Sequence, residues 1–261
     1  MHVIKSFLIA LSMYSIIPTI RTEWKEEDMK YVFIFFPFVG VIIGGLVFGW
    51  NILCKNFGIG EIARTLGIPL IALIISGGIH VDGYMDTSDA FCSYREKEKK
   101  LEILKDPHIG AFAVISLVGC GLVYIASIAQ IQDKNLMLFV CISFVLSRVL
   151  SALAAVFFPS AKSSGTLAYF ASSSAKIIVR IFLFIELVIL IGALIFIHPI
   201  FGTVTASVSG LVFLFYYLKC KKELGGITGD TEGFFVVICE CAIALSAAIM
   251  NIVMNNMAGA L

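Results

Sequence analysis

Long apolar blocks separated by short polar stretches organise this chain. A membrane-crossing helix needs about 20 mostly apolar residues to cover about 30 Å of hydrocarbon. Blocks of this kind predict spans at 31–53, 65–79, 109–131, 136–158, 177–197, 200–218 and 232–255. The second is short, so it must borrow residues from a neighbour or end inside a protein cavity. Residues 3–20 are apolar too but carry Lys5, Ser6, Ser12, Tyr14 and Pro18. An eighth span, a re-entrant piece and an interfacial helix all fit them. The reading is one all-α domain over 1–261, a polytopic integral membrane bundle of about seven transmembrane helices.

Composition removes the competing classes. Of 261 residues 59% are hydrophobic and 14% charged, with a mean hydropathy of +0.99. Soluble domains run to about 45–50% apolar and about 25% charged. Too few polar side chains remain to clothe a water-facing sphere, which excludes a soluble globular or disordered chain. A net charge of +1 also excludes a nucleic-acid binder acting through bulk charge. The seven cysteines are odd in number and hold no CxxC pair, so they are expected as packing residues rather than disulfides or a zinc site. No cleavable signal is expected either. Lys5 is the only early charge, and no small-residue cleavage site precedes the acidic stretch at 23–28.

Charge distribution assigns the sides. With the seven spans placed, thirteen Lys and Arg residues fall in loops on one side: Arg21 to Lys30, Arg95 to Lys105, Lys162 and Lys176, and Lys219 to Lys222. The other side holds three, Lys55, Arg64 and Lys134. Basic loops stay in the cytoplasm, which predicts a cytoplasmic (inner) membrane protein with 77–110, 159–176 and 219–231 together on the inner face. No internal repeat is visible, which weakens an inverted-repeat transporter reading. In the first span Gly40, Gly44, Gly45 and Gly49 offer small positions for close helix contact.

The most informative stretch is GGIHVDGYMDTSDAF at 77–91. At about 100° per residue, Asp86 and Asp89 lie about 40° and −20° from Asp82, so a helix puts all three carboxylates on one face. Such spacing repels and weakens an isolated helix, and it is also common on solvated faces. A bound cation resolves the repulsion. Clustered oxygens suit a hard ion such as Mg²⁺, which completes its octahedron with water and substrate phosphate. His80 is expected on the elbow beside Gly77 and Gly78, as a structural hydrogen-bonding group or a catalytic one.

Three further places carry polar chemistry. The stretch from Arg95 to Lys105 is a solvated helix from which a cation can reach phosphate. Pro107 and Gly110 shape a turn that sets Lys105 and Asp106 at the aspartate surface. GGITGD at 225–230 combines three glycines with Thr228 and Asp230 at the start of the last helix, a place that favours anions or simply an N-cap. Arg148, Glu240 and Glu186 sit inside spans, where a charge needs a partner or a wet cavity. Arg148 either pairs with Glu240 or reaches a phosphate.

Together the segments GGIHVDGYMDTSDAF, LKDPHIGAF and GGITGDTEG, with FPFVGVIIGG at 36–45 and Ser147-Arg148 before Pro159, resemble the adenosylcobinamide-GDP ribazoletransferase (cobalamin 5′-phosphate synthase) family. The similarity covers most of the chain in order. It departs at Glu232, where an apolar residue is expected, and at Ser160-Ala161-Lys162, which replaces a more aromatic, arginine-bearing stretch. The resemblance implies a Mg²⁺-dependent membrane enzyme of the last assembly step of cobalamin synthesis. In that reaction a ribose hydroxyl of α-ribazole, or of its 5′-phosphate, attacks the phosphorus next to the cobinamide arm of adenosylcobinamide-GDP, and GMP leaves. Carried over, Asp82, Asp86 and Asp89 hold metal, and His80 or an aspartate is the general base. Arg95, Lys105 and Arg148 neutralise phosphate, while Asp106, Thr228 and Asp230 complete the substrate site. A homo-oligomer or association with other cobalamin-assembly enzymes stays open. The neighbouring CDP-alcohol phosphotransferase class wants an Ala-Arg pair after Asp-Gly, where this chain has Tyr84-Met85. A cation transporter wants its acids inside spans.

Overall fold

A computed structural model describes residues 2–20, 25–161 and 176–259. Arg21, Lys162 and most of the 159–176 loop lie outside the described residues. Eleven helices are described: α1 His2–Tyr14, α2 Glu26–Met29, α3 Val32–Phe57, α4 Glu61–Ser76, α5 Ile79–Cys92, α6 Lys97–Ile103, α7 Ala111–Gln130, α8 Lys134–Phe157, α9 Lys176–Ile197, α10 Pro199–Leu224 and α11 Gly229–Gly259. Six of them, α3, α7, α8, α9, α10 and α11, are long and apolar enough to cross a membrane. A further apolar pair, α4 and α5, meets at 95°, the geometry of a broken span or a re-entrant loop. The short block at 65–79 lies in α4 and the elbow that follows it.

Helix α8 is the central staff, buried along most of its length. It runs antiparallel to α3, and the small residues decide how closely. A Cβ on Gly40 would stand 2.2 Å from Phe144 O, and one on Gly44 2.4 Å from Cys141 O. Gly45 and Gly49 meet nothing within 4 Å, so only half of the expected small-residue face makes the contact. Lipid-facing α7 and α9 expose Phe112, Ile115, Leu122, Phe184 and Ile189, the exposure expected of a bundle whose solvent is hydrocarbon. All seven cysteines are free thiols.

The elbow follows from two glycines. Gly77 (φ 63°) and Gly78 (φ 79°) both adopt the left-handed conformation, and their N–H groups close α4 onto Ile74 O at 3.0 Å and Leu73 O at 3.1 Å. A side chain at these angles is disfavoured. Helix α1 settles beside this elbow. Its thirteen residues reach only about 20 Å, too short to cross. Lys5 pairs with Asp28 of α2 at 3.2 Å, Ser6 donates to Asp28 O at 2.5 Å, and Ile16 N–H donates to Ile75 O at 2.9 Å. A full crossing by α1 alone is thereby excluded, while the re-entrant and interfacial arrangements both fit these contacts.

At the end of the bundle opposite the elbow loops, Arg64 is buried and bonded to Glu61, to Asn51 Oδ1 at 3.1 Å, and to the carbonyls of Ile128 and Ile131. The other end gathers the three motif-bearing segments. Lys100 of α6 pairs with Glu223 of α10. Pro159 and Ala161 clamp Ile227 between 2.9 and 2.8 Å backbone hydrogen bonds, with an isolated parallel bridge from Ser160.

Candidate active site at the aspartate helix

Helix α5 is regular through Asp82, Asp86 and Asp89, so the spacing places them on one face as the periodicity requires. Asp82 is exposed and the other two are half-buried. Tyr84 anchors the opposite face, donating to Ser116 O at 3.1 Å and stacking on Phe234 at 5.5 Å. A fourth carboxylate joins from α11: Asp82, Asp230 and Asp89 all act electrostatically on Asp86. Their proximity depends on glycine. A Cβ on Gly83 would stand 2.6 Å from Asp230 O, and one on Gly110 2.1 Å from both Asp89 oxygens. The turn after α6 thus closes directly over Asp89.

The remaining candidates divide. Arg95 is exposed, after Tyr94 with its positive φ of 52°. Lys105 is also exposed, before the turn that reaches Asp89. Asp106 is engaged within that turn: it accepts from His108 N at 3.0 Å, and the His108 ring lies 2.6 Å away. These contacts hold its carboxyl below the usual range. Thr228 is buried in a local cap, its N–H donating to Thr231 Oγ1 at 2.9 Å and its hydroxyl to Asp230 at 3.4 Å. Its hydroxyl bond orients Asp230.

Arg148, open between pairing with Glu240 and reaching a phosphate, is 1% exposed and bonded to Glu240 at 2.8 Å and Phe144 O at 2.7 Å. The mutual pairing wins because an arginine at this depth needs a carboxylate more than a distant phosphate. His80 was placed on the elbow, but it lies in the first turn of α5. There it points away from the acids, among Tyr14 and Phe36, and its Nε2 is buried without a partner among the described residues. The close fit of Gly233 against His80 O, 2.8 Å from a Cβ built there, fixes its backbone.

Two cavities meet at His80. One, of about 240 Å³, is largely apolar and carries the Arg148–Glu240 pair and Tyr124. The other, of about 210 Å³, joins Asp82 and Asp230 to Tyr14, Phe36, Ser151 and Glu232. Tyr14 and Ser151 carried no sequence signal, because their relevance depends on helices that meet only in the fold. Glu232 stood out only as a departure from the family pattern.

Among the described residues, no three His, Cys, Asp or Glu side chains already form a metal cage. The donor set nonetheless fits a hard cation: oxygens only, gathered from α5 and α11. The carboxylates of Asp82, Asp86 and Asp89 make no ion pair within the described residues. Such a set leaves coordination positions for water and phosphate, as Mg²⁺ prefers.

A family profile described as cobalamin-5-phosphate synthase matches residues 6–248. The chain belongs to this family. Curated relatives agree along the whole length. A Lachnoclostridium phytofermentans protein named adenosylcobinamide-GDP ribazoletransferase is 41% identical over 94% of this chain and 94% of its own. Proteins of the same name from Clostridium perfringens and Treponema denticola are 33% and 31% identical, covering 90% and 95% of this chain and 94% and 99% of theirs. No solved structure matches the chain. The family's aspartate segment, 77–91, is α5 and its elbow, and the GGITGDTEG segment is the loop that brings Asp230 to it.

Proposed function

We infer that this chain is an adenosylcobinamide-GDP ribazoletransferase, joining adenosylcobinamide phosphate to α-ribazole or its 5′-phosphate and releasing GMP. The observation that carries the reading is the carboxylate face of α5, without an ion pair among the described residues, meeting Asp230 at one end of a membrane bundle. Phosphoryl transfer depends on positioning and charge neutralisation more than on covalent help. Asp82, Asp86 and Asp89, with Asp230 beside them, would hold Mg²⁺. When bound, the ion neutralises pyrophosphate charge and favours departure of the leaving phosphate.

The chain's own groups do the rest. The acceptor hydroxyl lies in the cavity lined by His80 and Asp82. Its oxygen bonds to the phosphorus beside the cobinamide arm, and the bond from that phosphorus to the bridging oxygen breaks. GMP departs with the bridging oxygen. The hydroxyl proton passes to His80, whose Nε2 is buried without a partner among the described residues, or to an adjacent aspartate. The exposed Arg95 and Lys105 attract the diphosphate. Gly110 lets the turn close over Asp89, limiting water beside the reacting phosphorus. The basic loops support a cytoplasmic position for this end of the bundle.

The test is an assay of the purified protein in lipid nanodiscs with adenosylcobinamide-GDP and α-ribazole, with and without Mg²⁺. GMP release that requires both the acceptor and the ion is expected. GMP formed without acceptor, or undiminished in excess chelator, would remove the reading. CMP release from a CDP-alcohol would move the chain to the neighbouring phosphotransferase class.

A further inference from the structure

The cavity of about 240 Å³ lies among α4, α5, α7, α8 and α11, and its walls are mostly apolar, Pro69, Leu73, Leu117 and Val236 among them. Two buried hydrogen-bond donors interrupt that lining. Tyr124 Oη and Arg148 Nε have no partner among the described residues, and both side chains line this cavity. An arginine stays charged and a tyrosine keeps its hydroxyl hydrogen at neutral pH, so both groups remain donors there. Glu240, the carboxylate on the same wall, already accepts from Arg148 Nη1 at 2.8 Å and from Ser147 at 2.9 Å. Buried donors are normally satisfied, so the cavity calls for a molecule that brings acceptors into an apolar space.

Size and chemistry narrow the occupant. An apolar cavity of about 150 Å³ takes a benzene ring, so this one has room for a second, fused ring. A lipid chain would fill the space but leave both donors unpaired, which is costly. A nucleoside with a fused heteroaromatic base supplies what is missing: a flat apolar ring, a bare ring nitrogen, and sugar oxygens. The fold also sets its direction. Arg148 acts electrostatically on His80, and His80 also lines the cavity that contains Asp82. A sugar at the Arg148 end therefore sits beside His80, with its attacking hydroxyl toward the aspartates and its base toward Tyr124.

We propose that this cavity seats the benzimidazole base of α-ribazole, with the Tyr124 hydroxyl donating to the bare ring nitrogen. Tyr124 is then a specificity-determining residue for the acceptor. The inference rests on the ribazoletransferase reading and deepens it. It holds alike for the nucleoside and its 5′-phosphate, since the sugar end lies outside the base pocket.

The experiment is steady-state GMP release by the full-length protein in nanodiscs with Mg²⁺, at saturating adenosylcobinamide-GDP. The acceptors are α-ribazole and its indole analogue, in which C–H replaces the bare ring nitrogen, each as nucleoside and as 5′-phosphate. Wild-type protein is expected to favour the benzimidazole acceptor by about tenfold or more in kcat/KM in both phosphorylation states. Tyr124→Phe brings the two bases within about twofold of each other by losing rate on benzimidazole alone, and KM for adenosylcobinamide-GDP stays unchanged. Two glycines of α7 add a steric arm. A Cβ on Gly119 or Gly121 meets nothing within 4 Å, but of the two Gly121 lines the cavity. Gly121→Leu should raise KM for every acceptor about tenfold or more, and Gly119→Leu should leave it within about twofold. Wild-type indifference to the ring nitrogen, a preference that survives Tyr124→Phe, or a Gly121→Leu variant that behaves like Gly119→Leu overturns the base pocket and leaves the transferase reading intact. No GMP release with any acceptor overturns both.

Discussion

Two groups of charge lie within this bundle, and they behave in opposite ways. Arg148 and Glu240 are deep, mutually bonded at 2.8 Å, and further tied to Phe144 O and Ser147. Asp82, Asp86 and Asp89 are as dense in charge but share no counter-ion among the described residues. The first group is charge-paired within the fold, although Arg148 Nε has no hydrogen-bond partner among the described residues, and the second has no positive partner there. In a chain with so few charges, the distinction between closed and open electrostatics separates scaffold from site better than burial or position along the helix.

The sharpest way to break this comparison is to neutralise the open group. Asp82→Asn or Asp86→Asn should lower GMP release by more than about a hundredfold, beyond the loss typical of groups that only support metal ligands. The variants should keep the wild-type thermal midpoint. A variant that turns over normally would show that the open group is merely a solvated face.

Opening the closed group should do the reverse. Arg148→Met strands Glu240 and should cost about 3–5 kcal/mol of stability, read as a drop in the unfolding midpoint in detergent. Adding Glu240→Leu should restore most of it, because removing both charges removes the penalty. If the single variant is as stable as wild type but inactive, Arg148 belongs with the substrate after all.

Glycines test the same contrast on a smaller scale. Gly83→Ala pushes a methyl group to 2.6 Å from Asp230 O and should destabilise by about 1–3 kcal/mol while raising the Mg²⁺ concentration needed for half-maximal rate. Gly45→Ala, which meets nothing within 4 Å, should change stability by no more than about 0.5 kcal/mol.

The smallest effect concerns Asp28, an acid already paired outside the spans. The His2 contact, with help from Lys5, holds its carboxyl below the usual range. Its contribution is therefore present above the unfolded value of about 4 and lost as pH falls through the lower folded value. Thermal midpoints of wild type and Asp28→Asn should differ slightly at pH 6 and converge toward pH 3.

Much of this was legible along the chain, because hydropathy and helical periodicity are local. Blocks of about 20 apolar residues mark spans wherever they occur, and three acids at four- and three-residue spacing share a face whatever surrounds them. Sequence alone thus determined a membrane bundle and the helix that gathers three aspartates on one face, and its basic loops predicted which end faces inward. The rest depended on which helices touch. Arg148 found Glu240 and Ser151 found Glu232 across more than eighty residues. The elbow at Gly77 turned a short span into two helices, and α1 became a wall of the cavity rather than a crossing. Partner choice between distant side chains is set by helix packing and by where small residues let backbones approach, and no local pattern encodes it. Only the tertiary structure could decide which charges close on each other and which stay open.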